Sequence, residues 1–226
     1  MKATKSQSAN KGMSHRGPSN SAASSNGTPK RSTSNQLRII GGKWRGRKLA
    51  FPSIEGLRPT PDRVRETLFN WLAADVASAR CLDLFAGSGA LGLEALSRGA
   101  SQVDFIDRSA ESVKQLVDNL RLLDANNARV WQDHALNWLQ QLKLLPSNAG
   151  YDIVFLDAPF RQDLIADCLS ILPAYLSANG KVYLEMGKEE LLPTIPDSWH
   201  LHREKFAGQI CYRLFTIDRK NSSTQV

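Results

Sequence analysis

Two kinds of apolar pattern alternate along the chain from residue 80 onward. Short apolar runs between polar residues are typical of buried strands, and the longer stretches that separate them have the spacing of helices. This alternation predicts an α/β fold, an open parallel sheet with helices on both faces. The predicted strands cover residues 81–85, 103–106, 128–131, 153–156 and 182–185, and the predicted helices cover residues 90–97, 110–123, 135–144 and 163–176.

The pattern changes near the C-terminus. Two strand-like runs, residues 199–205 and 209–217, are separated only by Phe206, Ala207 and Gly208. Because this connection is too short for a helix, the two runs are predicted to form an antiparallel hairpin. The full prediction is a mostly parallel, Rossmann-like seven-stranded sheet that ends in an antiparallel hairpin.

The segment before residue 80 has a different composition. Residues 1–36 have almost no large apolar side chain, so they cannot offset the entropy of ordering, and they are predicted to be disordered. Residues 37–40 and 48–51 are strand candidates around a glycine-containing turn, and they predict a small N-terminal β-hairpin extension. Thr60 is then predicted to cap a helix with Pro61 at its first position. The apolar stripe of that helix consists of Val64, Leu68, Trp71 and Leu72.

These elements divide the chain into four parts. A disordered basic tail is predicted for residues 1–36, and the β-hairpin extension, with a role in nucleic-acid contact, for residues 37–57. The α/β domain is predicted for residues 58–218, and a short C-terminal tail for residues 219–226.

Charge is distributed unevenly along the chain. The net charge is +7, and the first 36 residues contain six Lys or Arg residues and no Asp or Glu. A basic N-terminal third on a nearly neutral body indicates a polyanionic partner such as nucleic acid. An alternative role for Arg63 or Arg65 is an ion pair with Glu66 or another acid of the domain. The candidate contacts with nucleic acid are Lys43, Trp44, Arg45, Arg47, Arg63 and Arg65, with Trp44 as the stacking candidate.

Cysteine usage and hydropathy limit the cellular setting. Cys81, Cys168 and Cys211 are widely spaced and form no CxxC pair, so neither a zinc site nor a disulfide framework is expected. No apolar run approaches the roughly 20 residues that cross a bilayer. These features predict a cytoplasmic protein without a bound metal.

A glycine-rich loop follows the first predicted strand of the sheet. GSGALG at residues 87–92 is a G-x-G-x-x-G sequence between a strand and a helix, and Asp107 follows about 20 residues later. This is also the fingerprint of an NAD-type oxidoreductase. Asp83, however, precedes the loop, and a carboxylate there repels a pyrophosphate but suits the cationic ammonium of S-adenosylmethionine. The glycines then allow close approach of the backbone.

Acids follow three successive predicted strands. Asp83, Asp107 and Asp133 each lie just past a strand, and in such sheets ligands bind at the carboxyl ends of the strands. The Asp107 carboxylate can accept hydrogen bonds from ribose hydroxyls, and the Asp133 carboxylate can accept from the exocyclic amine of adenine. Arg108 and His134, the residues that follow these two acids, complete the predicted cofactor edge.

A fourth strand ends in Asp157-Ala158-Pro159-Phe160. An exocyclic amine on a nucleobase is a weak nucleophile, because its lone pair is delocalised into the ring. The Asp157 carboxylate and the Ala158 carbonyl can accept the amine hydrogens and help to localise that pair. Pro159 restricts the backbone of Ala158, and Phe160 offers a face on which an extruded base can stack. The pattern predicts methyl transfer to a base.

These motifs resemble the RsmD-type methyltransferases, a family that acts on guanine N2 in small-subunit (16S) ribosomal RNA. The resemblance covers residues 37–217. It implies a class I S-adenosylmethionine-dependent methyltransferase fold, S-adenosylmethionine as cofactor, and ribosomal RNA as partner, free or within an assembled or assembling subunit. Nothing in the sequence suggests an oligomer, so a monomer is expected. The matching sequences are RIIGG at 38–42, RPTPDRVRE at 58–66, LDLFAGSG at 82–89 and AGQ at 207–209.

The resemblance also implies roles for individual residues. By match to the family's motifs, the methionine part of the cofactor is lined by Asp83, Phe85, Gly87 and Gly89. Asp107 holds the ribose and Asp133 faces the adenine. Residues 157–160 hold the target base. One departure is Ala158, where the family usually has proline, which reduces the rigidity of the loop.

Three alternatives stay open at this point. An Asp-x-Pro-Phe motif also occurs in adenine-N6 methyltransferases that act on RNA or DNA. Ala158 is compatible with a non-catalytic RNA-binding protein that retained the fold. An NAD-type oxidoreductase is disfavoured by Asp83 and by the terminal hairpin.

The basic tail is hypothesised to add affinity for RNA phosphates, and its deletion is then expected to flatten the salt dependence of binding.

Overall fold

The computed structural model describes residues 35–54, 59–141, 150–158 and 162–217. The predictions for the tail before residue 35, for Arg58, Pro159 and Phe160, and for residues 218–226 lie outside this part of the chain. The strands are β1 (Asn35–Arg38), β2 (Lys48–Phe51), β3 (Arg80–Asp83), β4 (Gln102–Asp107), β5 (Ala128–Gln132), β6 (Tyr151–Asp157), β7 (Leu176–Gly187), β8 (Trp199–Ala207) and β9 (Ile210–Ile217). The helices are α1 (Asp62–Trp71), α2 (Ala90–Ser97), α3 (Ala110–Leu122), α4 (Ala135–Gln141) and α5 (Gln162–Ile171).

Seven strands form one sheet in the order β5-β4-β3-β6-β7-β9-β8. The first five pair in parallel, and β9 pairs antiparallel with both β7 and β8. The predicted mostly parallel sheet with a terminal antiparallel hairpin is therefore confirmed. β1 and β2 form the predicted separate antiparallel hairpin.

The order of the strands creates a switch point in the sheet. From β3 the chain moves outward to β4 and β5, and it then returns to place β6 on the other side of β3. The connections that leave the carboxyl ends of β3 and β6 therefore diverge, and a crevice opens between them. In open α/β sheets this crevice is the usual place for a ligand.

Apolar side chains alternate between the two faces of the sheet and form a core on each. Cys81, Phe155 and Tyr183 face the core that includes α1, α2, α3 and the β1–β2 hairpin. Leu82, Val154 and Leu184 face the opposite core, which includes α4 and α5. Burial on both faces explains why the central strands read as continuous apolar runs in the sequence. Among the residues that the structure describes, no helix is long and apolar enough to cross a membrane.

The loop of the β1–β2 hairpin is fixed on helix α2. The backbone N–H groups of Ile40 and Gly41 each donate to the Glu94 carboxylate at 2.8 Å. The Trp44 N–H donates to Ser97 Oγ at 3.0 Å, and the Ser97 hydroxyl donates to the Gly41 carbonyl at 2.6 Å. The hairpin and α2 thus share buried polar bonds as well as apolar packing.

Several boundaries differ from the prediction by a few residues, and the predicted helix over 163–176 ends at Ile171. Three of the differences have a visible cause. β1 begins at Asn35, inside the predicted tail, because it pairs with Phe51 of β2. Helix α1 begins at Asp62 with Pro61 as its N-cap, so Thr60 does not cap it, and the side chain of Thr60 bonds elsewhere. β7 begins at Leu176, earlier than predicted, through a pairing with Tyr151 that is followed by a register shift.

Candidate active site at the carboxyl edge of the sheet

The candidate site lies at the switch point between β3 and β6. Asp83 is the last residue of β3, and Asp157 is the last residue of β6. The register of the sheet pairs Asp83 with Phe155 and Asp157 with Glu185. Because side chains alternate along a strand, these three acids share the face of the sheet that carries Cys81 and Tyr183. The sheet thus gathers three carboxyl groups at one edge.

The glycine-rich loop connects β3 to α2 and is held by Asp107. Gly87 and Gly89 have φ values of 51° and 77°, in the left-handed region that favours glycine. The Gly87 N–H donates to Asp107 Oδ2 at 2.7 Å, and the Ser109 N–H donates to Asp107 Oδ1 at 2.8 Å. The carboxylate is half-buried, and each oxygen keeps a lone pair for a further donor. This geometry suits a pair of ribose hydroxyls.

Asp83 is closed off from solvent beside the loop. Its side chain is buried, and Oδ2 accepts a hydrogen bond from the Gly92 N–H at 3.0 Å. Burial, aided by the charges of Asp157 and Asp107 and opposed by the Gly92 N–H, raises the pKa of Asp83 to about 7. Asp83 therefore holds the first turn of α2 by a hydrogen bond. Its buried charge can also interact electrostatically with a cofactor at this loop.

The remaining predicted cofactor residues lie along the same edge. Phe85 is half-buried and packs against the core on the α4–α5 face. Asp133 is half-buried, its Oδ1 accepts from the His134 N–H at 2.7 Å, and its N–H donates to the Asp107 carbonyl at 3.1 Å. Arg108 and His134 are exposed. The ends of β3, β4 and β5 are thus brought together as the sequence predicted.

Asp157 has a partner that the sequence did not suggest. Its Oδ2 accepts a hydrogen bond from the hydroxyl of Thr60 at 2.9 Å. Burial raises the pKa of Asp157 to about 6, and the Thr60 hydroxyl opposes the rise. Ala158, the next residue, is buried. Asp157 is therefore a carboxylate that can lose and regain a proton close to neutral pH.

Glu185 and Tyr183 are further site residues that sequence reasoning missed. Glu185 is 8% exposed, and the Tyr183 hydroxyl donates to its Oε2 at 2.6 Å. Burial and the neighbouring charge of Asp157 raise the pKa of Glu185 to about 8. The sequence carried a signal for Glu185, because it is the last residue of the predicted fifth strand and Asp157 directly follows the predicted fourth. A second acid therefore stands beside Asp157 on the same face.

The predicted nucleic-acid contacts separate into two groups. Lys43, Arg45, Arg47 and Arg63 are exposed. Two predictions are wrong: Trp44 is 8% exposed and packs in the core, so it offers no face to a base, and Arg65 is fully buried. The Arg65 guanidinium donates to Asp62 at 2.6 Å and lies 3.6 Å from Glu94, which confirms the alternative of an ion pair within the domain.

Comparison with known proteins identifies the family. The model of the family described as conserved hypothetical protein 95 matches residues 37–216. The chain is 50% identical over 197 residues to ribosomal RNA small subunit methyltransferase D of Escherichia coli K12, covering 86% of this chain and 97% of that protein. The Haemophilus influenzae protein of the same name is 44% identical over 184 residues, covering 80% of this chain and 93% of that one.

A solved structure agrees with the sequence relatives. The yhhF protein of Escherichia coli superposes with a TM-score of 0.74 at 47% identity, covering 81% of this chain and 99% of that chain. The fold, the site at the strand ends and the sequence relatives agree. The chain belongs to the conserved hypothetical protein 95 family, which is the family of the RsmD-type ribosomal RNA methyltransferases.

Proposed function

We propose that this protein transfers a methyl group from S-adenosylmethionine to the exocyclic N2 amine of a guanine in small-subunit ribosomal RNA. The observation that carries the proposal is the hydrogen-bonded Asp157 at the switch point, beside the glycine loop. The relatives named ribosomal RNA small subunit methyltransferase D support the class of RNA. The family resemblance supports guanine N2 over adenine N6.

The groups beside the glycine loop fit S-adenosylmethionine. Asp107 retains acceptor capacity for the ribose hydroxyls after its two bonds to backbone N–H groups. Asp133 uses Oδ1 for the His134 N–H, and Oδ2 is left for the adenine amine. Gly87, Gly89 and Phe85 would surround the methionine part. When bound, the cofactor supplies an electrophilic methyl group on a sulfonium.

Asp157 performs the chemistry that the base requires. Its carboxylate accepts a hydrogen from the exocyclic amine, and this localises the nitrogen lone pair toward the methyl group. The Ala158 carbonyl is the second acceptor for the same amine. After transfer, the excess proton on nitrogen passes to Asp157, whose raised pKa of about 6 suits it to take a proton near neutral pH. In-line positioning of amine and methyl provides most of the remaining acceleration.

The RNA is proposed to lie against the exposed basic side chains of the N-terminal loop. Lys43, Arg45 and Arg47 on this loop and Arg63 on α1 are exposed and suited to phosphate contacts. A monomer acting in the cytoplasm on RNA or on an assembling subunit completes the proposal.

The proposal is tested with labelled S-adenosylmethionine and small ribosomal subunits from cells that lack this enzyme, followed by nucleoside analysis. We expect label in N2-methylguanosine, and Asp157→Ala reduces the rate by about 10²–10⁴-fold. Asp152→Ala is the matched control, because Asp152 lies on the same strand at the opposite edge and bonds the Arg80 N–H. Label in N6-methyladenosine would replace the guanine assignment, and absence of transfer despite cofactor binding would favour an RNA-binding protein.

A further inference from the structure

Thr60 lies where a helix cap is expected and uses its side chain for something else. Helix α1 begins two residues later, and the N–H groups of Val64 and Arg65 both donate to the Pro61 carbonyl, at 2.9 and 3.0 Å. The Thr60 hydroxyl instead donates to Asp157, 97 residues away in the chain. Thr60 is only 4% exposed, so the donor side of this hydrogen bond is shielded from water, while Asp157 is half-buried.

The backbone of Thr60 is itself held in place by a buried cation. Arg65 Nε donates to the Thr60 carbonyl at 3.2 Å, and Arg65 Nη2 donates to the Arg38 carbonyl at 3.0 Å. The same guanidinium bonds Asp62 and faces Glu94. A fully buried guanidinium with this many partners has little freedom to move, and Thr60 is therefore fixed relative to α1 and β1.

The polar chain continues from Arg65 to the N-terminal loop. Glu94 accepts from the Ile40 and Gly41 N–H groups and from Arg98 Nε at 2.7 Å. Hydrogen bonds, together with the ion pair between Arg65 and Glu94, thus connect the loop through Glu94, Arg65 and Thr60 to the carboxylate of Asp157. The hydroxyl that meets Asp157 stands at the end of a rigid series of contacts.

We propose that Thr60 is the positioning residue of Asp157, which orients its carboxylate and keeps it ionised within an acidic cluster. The hydroxyl fixes Oδ2 and leaves Oδ1 for the amine of the base. It also supplies a donor to Asp157 itself, since Arg65 reaches the carbonyl of Thr60 and not the carboxylate. The titratable groups that face Asp157 and its acidic neighbours are Asp83 from β3, Asp107 from β4, Tyr183 and Glu185 from β7, and Tyr212 from β9.

The sign of the effect follows from which form the hydroxyl stabilises. A donor bonded to a carboxylate favours the charged form, so the Thr60 hydroxyl lowers the pKa of Asp157 against the rise caused by burial. Thr60→Val removes the donor at nearly constant volume, and the acidic limb of the rate profile must then move to higher pH. Thr60→Ser retains the donor and must return the limb toward its original position.

The test is single-turnover methyl transfer from pH 5.5 to 8.5. For Thr60→Val we expect a loss of about five- to tenfold at pH 6 beyond whatever loss remains at pH 8.5, as one buried hydrogen bond to a charged group implies. Thr60→Ser is expected to recover the wild-type profile shape. A loss of equal size at every pH, or a serine variant that behaves like valine, overturns the proposal.

A second measurement separates this proposal from the proposed function on which it rests. The carboxyl carbon of Asp157 is titrated by NMR in the wild type, Thr60→Val and Thr60→Ser without RNA, with Asp157→Asn for assignment. A pKa for Asp157 that rises in the valine variant and returns in the serine variant supports the role of Thr60. An unchanged pKa overturns it, whether or not the wild type methylates RNA.

Discussion

Replacing Asp83 by asparagine is expected to make the folded protein more stable at neutral pH. Asp83 is 1% exposed, and among the residues that the structure describes it has no cationic partner. Its Oδ2 accepts a hydrogen bond from the Gly92 N–H. Asparagine keeps a carbonyl oxygen that can accept this bond, and it removes the charge. The substitution therefore isolates the cost of burying one carboxylate.

The magnitude follows from the two titration points. Burial first, and then the charges of Asp157 and Asp107, raise the pKa of Asp83 from 3.8 to about 7 in the folded chain. As the pH rises through this interval, the unfolded chain releases its proton first, so the wild type loses stability, and the loss is complete above about pH 7. The wild type loses about 4 kcal/mol of unfolding free energy in full, and this loss changes with pH only between about 4 and 7.

The assay is urea unfolding of the wild type and Asp83→Asn at pH 5 and pH 8. The stability advantage of the variant is expected to grow by about 2–3 kcal/mol between these two pH values. Asp104→Asn is the matched control, because Asp104 is also buried but accepts from Arg129 Nε at 2.7 Å and from the Tyr151 hydroxyl at 2.8 Å. The free energy of unfolding of Asp104→Asn is expected to be about 1–3 kcal/mol lower than that of the wild type. An Asp83→Asn advantage that is absent, or equal at both pH values, would refute the reasoning.

Three further predictions concern the loop and the cofactor edge. Asp107→Ala is expected to weaken S-adenosylmethionine binding by about 10–100-fold in calorimetry, because hydrogen bonds to a charged group are lost; unchanged affinity contradicts the assignment. Glu94→Ala leaves the buried Arg65 without its buried acid and is expected to cost about 3–5 kcal/mol in urea unfolding, against a small effect of Glu66→Ala on the exposed face. Gly42→Ala is expected to lower the melting temperature more than Gly208→Ala. Both glycines have a positive φ, 74° and 61°, but a Cβ at Gly42 would also collide with the Ser97 carbonyl, whereas a Cβ at Gly208 meets no neighbour.

Most of the fold could be predicted because its signal is local. A run such as residues 153–156 is short, apolar and bounded by polar residues, and this pattern specifies a buried strand whatever its neighbours are. The edge of the site was accessible for a related reason. Asp83, Asp107, Asp133 and Asp157 each follow a strand, and parallel strands bring their carboxyl ends to one edge.

What could not be predicted depends on contacts between distant residues. Thr60 before Pro61 satisfies every local rule for a helix cap, yet its hydroxyl bonds Asp157, which only the folded chain brings near. Arg65 and Trp44 belong to a basic segment, and composition alone suggested exposure. Their burial follows from the packing of the N-terminal loop and α1 on α2. A run of basic residues predicts that a surface is positively charged, but it does not show which side chains of that run are exposed.

The attachment of the N-terminal loop to helix α2 has a consequence for modularity. The extension reads in the sequence as an appendage that could be cut away or exchanged between relatives. In the fold it supplies the N–H groups of Ile40 and Gly41 to Glu94, and the carbonyl of Arg38 to Arg65. Removal of the residues before 59 would leave the Glu94 carboxylate and the Arg65 guanidinium buried without these hydrogen-bond partners. The extension and the α/β body therefore depend on each other for the pairing of buried charges, and any redesign has to treat them as one unit.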